Sequence, residues 1–479
     1  MTIGKTAGAP RSDRTSSYLY RAVWRWHFYA GVGVLPFVVL LALSGLAMLA
    51  SGPLDRYIDG ELLYVTPTGT PLPASAQVAS VAAAYPDAEV VTIGVSAAPD
   101  ESVPVTIAPK HAAAAHAGGH GASGLVTVHV DPYTGTVLGE RDENRTLYAW
   151  AKRLHGTLLV GTFGDYVIEI VASFGVLLIV TGLYLWWPRN GRTWMQALLP
   201  SVAVTGRRGS RDLHAAVGAW VAPLLIFFFV SGLAWTPFWG GQLVQAWSSL
   251  PGERFDAPLG EATHAALEHG PHHGVPWVIE QTPLPVSGSG RGDPGVAADA
   301  SITVDDVIEY ARAAGFSRFR VHFPRGEQGV WTVASTTIGG DTRELGGDRI
   351  VHLDAATGNV LADIRFEDYP LVGKLMAAGI PLHQGDTGFV NLVVNVSFCL
   401  AVIGMAAAAV AAWWARRPRG SRRLVPPPLP HDARVWRSAV MLMLALSLVF
   451  PLAALTTVVV LGADYLLLRR MPSLEQIFH

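Results

Sequence analysis

The chain is poor in several residues and motifs, and each shortage excludes something. Of 479 residues one is a cysteine, Cys399, and it sits inside an apolar run. A single cysteine closes no intramolecular disulfide, builds no CxxC metal site and excludes a CxxCH thioether attachment. Charge is scarce: Asp, Glu, Lys and Arg make up 15% of the residues and the formal net charge is −2. Nucleic acid, which selects strongly basic domains, is therefore not an expected partner. The sequence holds no HExxH, no GxSxG, no P-loop and no convincing dinucleotide fingerprint.

Apolar residues are abundant, at 50% of the chain. A bilayer core about 30 Å thick takes roughly 20 of them in a helix. The expected layout has inner segments at 1–26, 189–212 and 416–436, and outer domains at 51–153 and 240–382. Spans are expected at 27–50, 154–188, 213–239 and 383–415, with a fifth at 437–463 that Pro451 interrupts and a tail at 464–479. Arginine clusters around Arg21 and Arg25, Arg189 and Arg192, Arg207 and Arg208, and Arg416 and Arg417 alternate with the spans, which places the N-terminus in the cytoplasm. Arg469 and Arg470 fit less well, since five spans put them outside. The inner loops are too short for a nicotinamide-binding domain. The stretch Ala47–Ala50 resembles a signal-cleavage site, but the same helix pattern recurs later, which favours an anchor.

That recurrence is specific. His27, Gly31, Pro36, Ser44, Gly45, Leu46 and Ala47 align without a gap with His214, Gly218, Pro223, Ser231, Gly232, Leu233 and Ala234. HVDPYTGTVLGE (His129–Glu140) matches HLDAATGNVLAD (His352–Asp363). Leu154-His155 and Leu382-His383 precede the second and fourth spans, which end on Trp186-Trp187 and Trp413-Trp414. The fold class expected is a multi-pass α-helical membrane protein with two external α+β domains, built by internal duplication. In the first outer domain a helix at Ala76–Ala84 and strands at Glu89–Val95, Val103–Ala108 and Leu125–Val130 are predicted. In the second these are Val304–Ala314, then Arg318–His322, Val330–Ala334 and Arg349–Leu353. The Asp-x-x-Thr-Gly steps at Asp131 and Asp354 read as tight turns that return the chain through Val137-Leu138 and Val360-Leu361.

Four histidines fall at two depths: His27 and His214 at the inner face, His155 and His383 at the outer. Two neutral imidazoles from different helices at one level are what axial ligation of a haem iron needs. The candidate ligands are those four, for two haem b groups. A histidine at a helix end also sits in the headgroup region without any role, and the pairing by the repeat is what argues otherwise. Ala30, Gly31, Gly218 and Gly156 would admit a flat macrocycle, or equally serve close helix packing.

These motifs carry a resemblance. The V-x-V/L-D-x-x-T-G-x-V-L ending resembles the PepSY domain. The His-x-x-x-Gly helix, the Leu-His step and the terminal Trp-Trp resemble the PepSY-associated transmembrane family, over roughly residues 20–418. That family includes bacterial inner-membrane ferric-siderophore reductases that carry haem b on transmembrane histidines. The resemblance implies a transmembrane electron carrier with periplasmic domains, an external ferric chelate as substrate, and membrane quinol or a separate reductase as donor. PepSY domains are also associated with peptidase inhibition, so an anchored, non-enzymatic regulatory module is an alternative.

Weaker candidates surround the histidines. Asp386 could orient His383; Glu169 could shuttle protons or simply be solvated; Lys152 and Arg153 could face propionates or an anionic chelate, or anchor the helix. The tracts His111, His116, His120 and His264, His269, His272, His273 could capture copper or zinc, the basis of a metal-handling alternative. Their Ala, Gly and Pro surroundings predict flexible segments with adventitious binding.

Overall fold

The computed structural model describes residues 11–109, 125–189, 191–199, 206–250, 255–267, 275–296, 301–418 and 448–466, with residues 424, 441 and 445. In chain order the helices are α1 (Arg11–Ile58), α2 (Gly60–Leu63), α3 (Ala74–Ala84), α4 (Leu147–Thr157), α5 (Thr162–Trp186), α6 (Trp194–Leu198), α7 (Gly206–Leu233), α8 (Val304–Ala313), α9 (Leu371–Gln384), α10 (Phe389–Trp414) and α11 (Pro451–Leu466). The strands are β1 (Ala88–Val95), β2 (Val103–Pro109), β3 (Val126–Val130), β4 (Val137–Arg141), β5 (Leu259–Thr263), β6 (Pro283–Pro285), β7 (Phe319–His322), β8 (Val330–Ser335), β9 (Arg349–Asp354) and β10 (Val360–Arg365).

The chain divides into two compact units. The first takes residues 1–46, 153–243 and 396–479. Four helices among the described residues are long and apolar enough to cross a membrane: Leu19–Ile58, Thr162–Trp186, Gly206–Leu233 and Phe389–Trp414. Nearly uniform apolar sequence leaves the backbone to satisfy its own hydrogen bonds, which only a helix does within one segment. Inside this unit Ala42, Ala172, Val221, Leu225, Phe229 and Phe398 form a buried cluster. Of the expected fifth span, residues 441, 445 and 448–463 are described; α11 starts at Pro451 and runs 16 residues, shorter than the four membrane-length helices.

The second unit takes residues 47–152 and 244–395. Its eight-stranded antiparallel sheet has the order β10-β9-β8-β7-β1-β2-β3-β4. Strands from both expected outer domains therefore join in one sheet, through β1 and β7, with Ile93 opposite Val321 and Thr92 opposite His322. Helices α3 and α8 pack on it through Val81, Val304, Val307 and Ala311, against Ile93, Val105, Val128, Phe319, Val333 and Val351. Helix α8 forms because apolar residues recur at helical spacing behind a capping box of Thr303 and Asp306. Both predicted tight turns are present. Asp131 Oδ1 accepts from Tyr133 N at 2.8 Å, and Asp354 Oδ1 from Ala356 N at 2.8 Å.

One local feature departs from the sequence pattern. The apolar run expected as a second span is broken between α4 and α5, where Leu158, Leu159 and Gly161 have φ of 51°, 61° and 63°. The break brings Thr157 O so close to Gly164 that a Cβ there would lie 1.8 Å from it. Only glycine fits, and the break sets α4, which carries His155, apart from the span. Gly164→Ala should therefore cost about 1–3 kcal/mol through overpacking. Thermal unfolding of the detergent-solubilised protein checks this, and an unchanged melting temperature would mean the break is not formed.

Candidate histidine site

In the first unit, the ring centres of His27 on α1 and His214 on α7 stand 6.4 Å apart with an interplanar angle of 72°. Each ring is fixed through its Nδ1. The Thr181 hydroxyl on α5 donates to Leu177 O at 2.8 Å, so it receives the His27 Nδ1–H, at 2.9 Å. His214 Nδ1–H donates to Met405 O on α10 at 3.0 Å. Both rings are then neutral tautomers whose Nε2 carries the lone pair. A metal–imidazole bond of roughly 2 Å, plus about 1 Å from nitrogen to ring centre, puts two axial imidazoles roughly 6 Å apart. The observed separation matches that of two ligands to one ion.

The surroundings leave room beside one of the two rings. A Cβ built on Gly31, one turn from His27, meets nothing within 4 Å, whereas one on Gly218 meets Met405 Sδ at 3.4 Å. Gly182 closes the other side of the His27 ring, whose Cε1 would lie 3.2 Å from a Cβ there.

His155, on α4, is held the same way. The Ser44 hydroxyl on α1 donates to Leu40 O at 2.9 Å and receives His155 Nδ1–H at 2.9 Å. Ser44 is one of the residues that recur in the sequence, but its partner could not be read there. Thr181 was missed altogether; a hydroxyl deep in the apolar second half of α5 is the signal that pointed to it. The Met405 acceptor is a backbone carbonyl and leaves no trace in the sequence.

His383 belongs to the other unit, next to the last residue of α9. Asn395 Nδ2 donates to Leu382 O and His383 O at 2.9 and 3.0 Å, and Asn391 Nδ2 to Leu382 O at 2.9 Å, so α10 caps the end of the helix that carries it. Asp386 lies exposed beyond Gly385, its backbone N–H donating to Pro381 O at 3.0 Å. Arg153 is exposed and Lys152 half-buried.

Glu169 is not solvated: it is 1% exposed, and its carboxylate accepts the backbone N–H groups of Phe238 and Trp239 at 2.9 and 3.1 Å. It closes the turn that follows α7, where N–H groups would otherwise lack acceptors.

His264 lies in folded structure, not in a flexible tract. It and His352 are 0% exposed, with their Nε2 atoms 2.9 Å apart. His264 Nδ1–H donates to Thr282 O at 2.7 Å, so its Nε2 accepts from His352 Nε2–H, and the Thr332 hydroxyl donates to His352 Nδ1 at 2.9 Å. His129, which matches His352 in the repeated sequence, is pinned through Nδ1 by Ser102 at 2.9 Å, and its Nε2 is buried without a partner. His111, His116, His120, His269, His272 and His273 lie outside the described residues. Among the described residues no group of three or more His, Cys, Asp or Glu is placed to hold a metal ion by itself.

Membrane-length helices joined to a sheet unit define an integral membrane protein with a substantial folded portion beyond its spans. The chain belongs to the family described as the PepSY-associated TM region, whose model matches residues 24–416. No curated protein matches it.

The sheet histidines give a pH prediction. Burial holds His264 down at about 4, and burial with the Arg141 charge holds His129 down at about 4; burial and His264 hold His352 well below its ordinary value. Unfolded histidine binds its proton near 6.5, so between there and 4 the unfolded chain holds more protons and stability falls as pH falls. Buried Asp341 and Asp348, whose pKa values are raised, act in the opposite sense. The readout is thus a difference: from pH 7 to 5 the melting temperature should fall further in the wild type than in His129→Gln. Equal slopes would contradict a buried neutral His129.

Proposed function

We infer that the chain is a haem-bearing transmembrane electron carrier that reduces an external ferric chelate of the siderophore class. The observation that carries the reading is the His27–His214 pair, with ring centres 6.4 Å apart and each Nδ1 held by an acceptor on a further helix. Two neutral imidazoles so fixed are a donor set for one porphyrin iron, bound without thioether links because Cys399 is the chain's one cysteine. When bound, the group supplies a one-electron Fe³⁺/Fe²⁺ couple in the low-dielectric bundle. Thr181 and the Met405 carbonyl orient the rings, and the apolar helices exclude water. A second such group on His155 and His383 enters the reading through the sequence repeat, and Ser44 orients His155 for it.

Each external Fe³⁺ takes one electron; a quinol gives two electrons and two protons, so one quinol serves two ferric chelates. A separate reductase protein is the other class of donor. Chelators of Fe³⁺ hold Fe²⁺ far more weakly, so one electron releases the metal. In this reading the membrane is the bacterial inner membrane, the N-terminus is cytoplasmic, and the sheet unit, as two fused PepSY-like halves produced by duplication, faces the periplasm and docks the chelate. Copper or zinc collection at His264 is disfavoured, because that ring is enclosed and both its nitrogens are engaged.

The test is a dithionite-reduced minus oxidised absorption spectrum of the purified protein, with haem quantified as its pyridine complex. The wild type should show sharp low-spin b-type bands. His27→Ala and His214→Ala should each abolish the same share of haem, and Thr181→Val should keep the haem but bind it more weakly, roughly tenfold or more for a lost ligand-orienting bond. A haem-free preparation that still reduces ferric chelates would overturn the reading.

A further inference from the structure

The histidine site leaves a second feature of the helical unit unexplained. Between α1 and α10 lies a cavity of about 560 Å³ whose lining, including Leu35, Val39, Ile403, Ala407, Val410 and Ala415, is apolar. That volume falls within the roughly 300–1,000 Å³ of small-molecule sites. His27 and His214 are not in its wall, so it is not the site described above. The residue that follows Ala415 is Arg416. Its guanidinium carbon stands 4.8 Å from the Phe28 ring centre and 5.7 Å from that of Trp24. Its Nε and Nη2 are buried without a hydrogen-bond partner. Among the described residues no carboxylate forms an ion pair with it.

A guanidinium keeps its charge. Burial, and after it the Arg207 charge, push its pKa below the ordinary value. Two neighbouring cations, one partly desolvated and with no anion at hand, are unfavourable. The aromatic faces offset only part of this. Among the described residues no anion partners Arg416, which directly follows Ala415 in the groove wall.

We propose that the α1–α10 groove binds an anionic phospholipid, one acyl chain lying along Leu35, Val39, Ala407 and Val410 and the phosphate taken by the Arg416 fork, with Arg207 adding charge. A planar guanidinium matches a phosphate through two parallel hydrogen bonds, and basic pockets between membrane helices take acidic headgroups in this way. The chain gains the burial of apolar surface, and the headgroup supplies the absent charge. A zwitterionic lipid offers the chain without the net charge, and inorganic phosphate the charge without the chain, so both should bind worse.

The full-length protein, delipidated in detergent, is offered dioleoyl phosphatidylglycerol, dioleoyl phosphatidylcholine or inorganic phosphate, and retained ligand is counted by native mass spectrometry. The wild type should retain phosphatidylglycerol at about tenfold lower lipid concentration than phosphatidylcholine, the size expected for one charge-assisted pair. Arg416→Gln should erase that preference, Arg416→Lys should restore part of it, and Ala407→Trp, which fills the groove, should remove retention of both lipids. Arg189→Gln, at a different helix end, should leave the preference intact. Melting curves identify any variant that fails to fold, and the Lys and Ala407 variants then carry the test. Equal retention of the two lipids by the wild type, or retention by Ala407→Trp equal to wild type, overturns the proposal in favour of unspecific annular lipid. Retention of inorganic phosphate that competes with phosphatidylglycerol overturns it in favour of a free-anion site.

Discussion

An imidazole inside an apolar helical bundle has to place its N–H on an acceptor, and that requirement organises the candidate site. Water is scarce there, and an unmade hydrogen bond costs roughly 1–3 kcal/mol. His27, His214 and His155 each meet the requirement through Nδ1, on Thr181, the Met405 carbonyl and Ser44. In two cases the acceptor is a hydroxyl that has already given its own proton to a helix carbonyl one turn back. The proton positions therefore follow from the helix backbone. With Nδ1 committed, the basic nitrogen of each ring is Nε2, at a position set by two helices rather than by a free rotamer.

The sheet unit solves the same problem differently. Four of its described histidines, His129, His264, His322 and His352, are buried in or against strands, and the chain Thr332–His352–His264–Thr282 orders every proton between a hydroxyl at one end and a carbonyl at the other. His264 and His352 satisfy one another, and that pair keeps no lone pair for a metal. Among the described histidines His129 keeps an unpartnered buried Nε2. A histidine-rich sequence thus serves two ends in one protein: fixed rings with a basic nitrogen in the helical unit, and self-satisfied pairs in the sheet.

Much of this was legible in the sequence because the signals are periodic or positional. Long apolar runs gave the membrane-length helices, alternation gave β1 to β3 and β7 to β9, and Asp-x-x-Thr-Gly gave both turns with their bonding. The break before α5 was not legible, since Leu158, Leu159 and Val160 are as apolar as the helices beside them and nothing in their chemistry announces a positive φ. The single sheet was hidden for another reason: β1 and β7 are more than 200 residues apart, and pairing across that distance has no local signature. His264 was misplaced by composition, because Ala, Gly and Pro nearby suggest a loose tract while the ring itself is enclosed by Phe255, Thr282 and His352. Glu169 read as an interfacial carboxylate because its partners are backbone N–H groups.

The central claim is that His27 and His214 share one iron, and electron paramagnetic resonance of the oxidised, purified protein tests it most directly. The account predicts a low-spin ferric signal of the bis-imidazole type, and the share of it that this pair supplies is lost together with its haem in His27→Ala and in His214→Ala. A wild-type spectrum that is wholly high-spin, or a low-spin signal undiminished by removal of either ring, would contradict it.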